Sequence, residues 1–191
     1  MTSIIVGPPA VSSGYSSNDC LWPLGIENAT SNRTISATDR VYAFGFYTGR
    51  PISVDNVKVN LVTAEASAAC RIGLYNNNYT TGRPSSLIVD CGELDLSATT
   101  GDRTLTFAAS TIRGVVWVLI FHNSPGGALV LLGPATSDIH GWMMPVTGDL
   151  AGGSRPWLRL DYAYPLSAPD PAPAVETDST SATALPTLQV A

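Results

Sequence analysis

Asn56-Val57-Lys58-Val59-Asn60-Leu61 alternates polar and apolar residues without a break. Successive side chains of a strand point to opposite faces, so Val57, Val59 and Leu61 line one face and the polar residues the other. A helix would turn Val59 away from Val57 and Leu61. The same period continues in both directions. Upstream, Arg40 to Tyr47 is aromatic-rich with a β-branched start, a composition strands favour. Downstream, Cys70, Ile72 and Leu74 share a face, with Arg71 and Gly73 on the other. Leu87, Val89 and Cys91 point one way, but the apolar phase resumes one residue late at Leu94 and Leu96. The slip falls at Gly92 and predicts a β-bulge there.

Thr104 to Phe107 is a short alternating run, and Ala128 to Leu132 and Trp157 to Tyr162 read as two further strands. Val115-Val116-Trp117-Val118-Leu119-Ile120-Phe121 is apolar at every position. That pattern predicts a central strand covered on both faces. No window sustains apolar residues at helical spacing, and turn residues recur at roughly 8–12-residue intervals, the cadence of sandwiches and barrels. The expected fold is all-β: an antiparallel jelly-roll-like β-sandwich of about eight strands or more, with extended N- and C-terminal arms. Its expected core holds Val57, Val59, Leu61, Ile72, Leu74, Val89, Trp117 and Leu119.

Composition divides the chain into an entry arm (residues 1–30), the sandwich (31–164) and a Pro/Ala-rich arm (165–191). Ser167 to Ala184 is too polar and proline-rich to bury enough apolar surface to offset the entropy of ordering. Leu185-Pro186-Thr187-Leu188-Gln189-Val190 nevertheless ends the chain on a β-like segment. Leu185, Leu188 and Val190 are expected to add a strand to a sheet edge of this sandwich or of a neighbour. Pro186 cannot donate to a ladder, which favours an edge position. Ile4 and Ile5, ahead of Pro8-Pro9, repeat the design and are expected to act likewise. Deleting residues 167–191 is then expected to impair assembly and leave the sandwich folded.

Charged residues make up only 13% of the chain, about half the average share. The net charge is −5, Lys58 is the sole lysine, and no basic run occurs. A phosphate backbone would find no electrostatic footprint, so nucleic acid is not an expected partner. Cys20, Cys70 and Cys91 are widely spaced and odd in number, which indicates neither a disulfide framework nor a C-x-x-C metal site. Cys70 and Cys91 both point inward and read as buried small hydrophobes rather than a disulfide. Residues 115–121, the longest apolar run, cannot span a bilayer. Met1 to Val6 lacks the basic start and long apolar stretch of a signal peptide. Synthesis in a cytoplasm without membrane insertion is expected.

Catalytic patterns are sparse. The two histidines, His122 and His140, sit in no H-E-x-x-H motif, and no cysteine spacing fits zinc. His122 reads as a hydrogen-bonded strand-end histidine and His140 as an exposed turn residue. No metal and no cofactor are expected. Gly-x-Ser-x-Gly is absent, so no nucleophile elbow is indicated. Asp90, Glu93 and Asp95 form the densest acidic cluster. Glycoside hydrolysis needs two carboxylates facing one cleft, whereas these read as outward, solvated strand residues. Neither this cluster nor Asn76-Asn77-Asn78 carries a calcium-loop signature. Sequons at Asn28, Asn32 and Asn78 read as chance matches. Ligand-binding candidates are Tyr79, Asn77, Trp142 and Trp22, residues of turns and loops whose rings or amides suit sugars. For Trp22 and Trp142 the favoured reading is as plugs at the two ends of the sandwich.

Three stretches resemble phage tail-fibre-like and minor virion proteins that share a jelly-roll module. They are Arg40-Val41-Tyr42-Ala43-Phe44-Gly45-Phe46 with Arg50-Pro51-Ile52-Ser53-Val54-Asp55, then Cys70-Arg71-Ile72-Gly73-Leu74-Tyr75 with Gly82-Arg83-Pro84-Ser85-Ser86-Leu87 and Asp90-Cys91-Gly92, then Arg113-Gly114-Val115-Val116-Trp117. Val116 departs from the group's usual aromatic. The resemblance spans residues 40–121 and extends to the Pro-containing terminal segment. It implies a non-enzymatic structural component of a bacteriophage virion, on tail fibre, tail tip or a surface spike. Other virion proteins would be its partners, with self-association into a homo-oligomer such as a trimer, and host attachment would be a second role. The alternatives are a glycan-binding, lectin-like receptor-binding module and a capsid decoration (cement) protein.

Overall fold

The computed structural model describes residues 20–21, 23, 31–35, 39–133, 157–177 and 186–191. All regular structure there is strand: β1 (Cys20–Leu21), β2 (Ser31–Ile35), β3 (Arg40–Thr63), β4 (Ala69–Asn78), β5 (Arg83–Asp95), β6 (Gly101–Asn123), β7 (Leu129–Gly133), β8 (Trp157–Asp161), β9 (Glu176–Thr177) and β10 (Thr187–Val190). Every pairing is antiparallel. The main path runs β1-β10-β3-β6-β4-β5, with β7 and β8 also on β3, β2 on β7 and β9 on β8.

Four runs that read as separate strands in the sequence are two long ones. Arg40–Tyr47 and Asn56–Leu61 both belong to β3, and Thr104–Phe107 and Val115–Phe121 both belong to β6. The two strands stay paired from Arg40↔His122 to Leu61↔Gly101. Gly49, Arg50 and Pro51, which look like a turn, stand opposite the single residue Arg113 between the pairs Thr48↔Gly114 and Ile52↔Ile112. Asp55 in turn stands opposite residues 107–109. Extra residues in a ladder bend and twist it without ending it.

That bend explains the core. Tyr42, Phe44 and Phe46 from the first half of β3 share one apolar cluster with Val57, Val59 and Leu61 from the second half. Ile72, Leu74, Val116, Val118, Ile120 and Leu188 join them. All are essentially sealed from solvent, and no helix covers them among the described residues. The sheet therefore supplies its own cover by folding over into two layers. The opposite face of β3, β4 and β6 carries a second cluster of Val41, Ala43, Tyr75, Trp117, Leu119 and Phe121. Residues 116–122 of β6 lie between β3 and β4 and are buried on both faces, as their apolar run requires. Of the expected core residues only Val89 is less than fully buried, packing partly buried on the first cluster.

The slip at Gly92 is a bulge: Ile72 pairs with Gly92 and Gly73 with Asp90, leaving Cys91 extra, and Gly92 has φ +106°. A second bulge corrects the reading of β5. Leu74 pairs with Val89 and Tyr75 with Leu87, so Ile88 is also extra. Leu87 consequently faces the second cluster while Val89 faces the first, although alternation placed them together.

The C-terminal arm is built into the molecule. β10 pairs with β3 from Thr187↔Lys58 to Val190↔Val54, and β1 adds Leu21↔Leu188 and Cys20↔Gln189 on its other side. It is therefore an inner strand and not an edge. Pro186 causes no conflict because it precedes the strand and leaves four residues free to pair on both sides. Leu188 and Val190 end in this chain's own core, unavailable to a neighbour. Leu185, Ile4 and Ile5 lie outside the described residues.

Candidate functional site

Residues 162–175 form an irregular strap along β5, the last strand of the main path. The strap's bonds to β5 step along it in antiparallel order. The Tyr164 hydroxyl donates to Glu93 Oε2 at 2.8 Å, and the Ala168 amide to Asp90 Oδ2 at 3.0 Å. The Leu87 amide donates to Asp170 Oδ1 at 3.0 Å, and the Ala172 amide to the Ser85 carbonyl at 2.8 Å. The Arg83 guanidinium closes the series on the Val175 carbonyl. Across the sheet face, Arg71 Nη1 donates to the Leu166 carbonyl at 2.7 Å and the Tyr75 hydroxyl to the Pro169 carbonyl at 2.8 Å. Tyr75 fits because Gly73 has no side chain: a Cβ there would lie 2.8 Å from the Tyr75 ring and 3.0 Å from Ala168. An open strand edge invites pairing with foreign chains, and the strap covers this one.

The acidic cluster is thereby accounted for. Asp90 also accepts from the Gly92 amide at 3.0 Å and faces Arg71 Nη1 at 3.5 Å. Asp95, exposed as expected, accepts from the Ser97 amide at 2.8 Å. Glu93 is exposed, as expected of an outward strand residue, while Asp90 is partly covered, and both accept hydrogen bonds from the strap. Sequence reasoning missed this seam: the partners are about 70 or more positions apart, and nothing in a proline-rich tail announces what it covers.

At the opposite end of the sheet lies the hairpin between β4 and β5. Asn78 shapes it, accepting from the Thr80 amide at 2.9 Å through its side chain and from the Gly82 amide at 2.6 Å through its carbonyl. Gly82 supplies φ +68°, which other residues adopt only under strain. Tyr79 at its tip is 77% exposed, as a binding residue must be. Asn77 instead accepts a hydrogen bond from the Trp117 indole at 2.9 Å, so its amide oxygen serves the core. Trp22 and Trp142 lie outside the described residues. Tyr47, placed by the sequence only within a strand, is a second exposed tyrosine among the described residues. It pairs with Val115 and is 46% exposed, and the signal for it was an aromatic next to the Gly49-Arg50-Pro51 bulge.

Buried His122 and Glu65 both have pKa values held low, which links stability to acidic pH. His122 is fully buried, edge-on to the Tyr42 ring, and neither ring nitrogen has a hydrogen-bond partner. This corrects the expectation of a hydrogen-bonded histidine: the strand end is sealed by Cys70 and Arg40 on the neighbouring strands. Burial pushes its pKa down to about 3. Desolvation pushes Glu65 up, but bonds from the Ser124 hydroxyl and the Gly126, Ala128 and Leu129 amides outweigh it and hold Glu65 below its ordinary value. The unfolded chain thus binds protons that the folded chain refuses. For His122, stability is lost as pH falls from the unfolded histidine value toward about 3, at a slope approaching ~1.4 kcal/mol per pH unit. Glu65 adds a further loss once pH drops below the ordinary carboxylate range. Denaturant titrations from neutral to acidic pH should show His122→Phe flattening the upper part of this slope. An unchanged slope in that variant would refute the assignment.

Cys70 and Cys91 are buried thiols and form no disulfide, as expected. Burial pushes Cys91 up to about 12 and raises Cys70 as well. Among the described residues no three His, Cys, Asp or Glu side chains gather as metal ligands do. No protein-family model, curated protein or solved structure matches this chain.

Proposed function

We propose that this chain is a non-enzymatic structural component of a bacteriophage particle, a jelly-roll-like module that makes assembly contacts and takes part in host attachment. The observation that carries the non-enzymatic part is the commitment of the acidic cluster: Asp90 and Glu93 hold the strap, and Asp95 holds its own turn. Carboxylates serving a glycosidase would need to face an open cleft. The virion assignment is supported by the resemblance of residues 40–121. A covered β5 edge and an inner β10 suit a module that must stay soluble at high local density before docking. Attachment is favoured by the exposed tyrosines at the hairpin end.

Electron microscopy of purified particles carrying a label on this chain tests the placement, with density at tail or capsid expected. Particles without label would overturn the virion reading. Glu93→Gln combined with Asp95→Asn should leave biological activity largely intact. A reducing-sugar release activity that disappears in this variant would overturn the non-enzyme reading.

A further inference from the structure

A strand at the margin of a sheet leaves a row of backbone amides and carbonyls unpaired. This chain covers two such rows: the strap lies along β5, and β1 pairs with β10. β6 is treated differently. β4 pairs with it only from Val116 to Asn123, while β3 follows it as far as Gly101. Among the described residues no strand pairs with residues 101–115 on the side away from β3. That stretch contains neither lysine nor proline, the two residues that most often blunt an edge. Residues 107–109, opposite Asp55, form a bulge at its middle.

The facing of this edge is fixed by its core contacts. Leu105 and Phe107 pack on the first cluster, and Ile112 lies within it. Alternation therefore turns Asp102, Thr104 and Thr106 outward before the bulge and Thr111 and Arg113 outward after it, and all five are exposed. Asp102 Oδ1 accepts from the Asn60 amide at 2.6 Å, and Asn60 lies between the inward-facing Val59 and Leu61. Arg103 faces the other way, onto the Thr99 and Asp95 carbonyls. The outward face thus carries Asp102 at one end, Arg113 at the other and only uncharged residues between. Neither makes an ion pair among the described residues. An edge charged oppositely at its two ends matches itself only when reversed. Antiparallel pairing about a two-fold axis at the bulge sets Asp102 against the second copy's Arg113, and Thr104 against its Thr111. Outward residues then face outward residues on both sides of the bulge, whereas a parallel copy in register would set like charges together.

We propose that residues 101–115 of β6 are a self-association edge, through which two copies of this chain join into one continuous sheet. The proposal names one contact of the assembly reading above. It is a property of the isolated chain, so it can hold or fail without particles. Main-chain bonds supply the affinity, and the two exposed ion pairs fix the register, so salt weakens the dimer only modestly.

Light scattering on the full-length protein over a concentration series should give twice the 20.0 kDa of one chain, falling to one chain on dilution. Hydrogen exchange should find the amides of residues 104–111 more protected in the dimer than in the dilute chain. Thr104→Lys combined with Thr111→Lys should raise the dimer Kd about tenfold or more, because lysines would oppose each other on both sides of the axis. Asp102→Arg should raise it about fivefold, and adding Arg113→Asp should restore it to within about twofold. Thermal unfolding of the dilute variants should be unchanged, since all four side chains are exposed. A mass of one chain at every concentration overturns the proposal, as does an oligomer indifferent to these substitutions. A single chain whose edge amides become protected only in assembled particles assigns the edge to another virion protein, which overturns self-pairing and keeps the assembly reading. A dimer that responds as expected, formed by a chain absent from particles, supports the edge and removes the virion reading.

Discussion

A chain ending at Leu185 is expected to show no cooperative unfolding transition. The missing residues carry Leu188, which is fully buried, and Val190, which is 8% exposed. Each buried aliphatic side chain contributes about 1.5–3 kcal/mol, and the lost ladder bonds to β3 contribute about 1 kcal/mol apiece. β1 loses the strand it pairs with at the same time. The sum is comparable to the total stability of a typical domain, about 5–15 kcal/mol. Thermal denaturation followed by circular dichroism, with a hydrophobic dye to report exposed core, measures it. A truncated chain that melts cooperatively at the full-length temperature would show β10 to be dispensable. The sequence by itself predicts that milder outcome, with assembly lost and the sandwich kept. The structure reverses it because the terminal strand lies within the sheet of its own chain.

Trp117→Ala is expected to destabilise the fold by about 3–5 kcal/mol through the cavity it leaves. Trp117 is 1% exposed and sits among Val41, Ala43, Tyr75, Leu119 and Phe121, beneath the strap. Its indole N–H donates to Asn77 at 2.9 Å, so the substitution also removes a partner from the hairpin that presents Tyr79. Trp117→Phe keeps most of the volume and should cost only about 1–2 kcal/mol, the order of the lost hydrogen bond plus a small void. Urea titrations read both as shifts in midpoint at constant slope. Equal midpoints for Trp117→Ala and the unaltered chain would place the tryptophan outside the core.

Much of this architecture was legible in local pattern. Val57, Val59 and Leu61 could bury together only as a strand, and residues 115–121 could be satisfied only between two apolar layers. The Gly92 bulge showed as a phase slip because glycine permits the positive φ that the kink requires. The bulge at Ile88 left no such mark, since an extra isoleucine looks like any other apolar strand residue. Gly49-Arg50-Pro51 was misleading in the other direction: residues that usually end strands were retained inside one by its pairing with β6.

The site divides the same way. Tyr79 was readable as the tip of a polar hairpin, because asparagines and glycine shape a turn through their own backbone. Tyr47 was not, since its exposure depends on what the opposing strand leaves uncovered. Asn77, His122, Asp90 and Glu93 likewise depend on partners far away in sequence, in Trp117, Tyr42, Ala168 and Tyr164. Strand identity, facing and the all-β class follow from a two-residue period and need only neighbours along the chain. Which strands fuse, where the tail lies and which carboxylates are occupied follow from contacts between distant segments, and no local pattern encodes those.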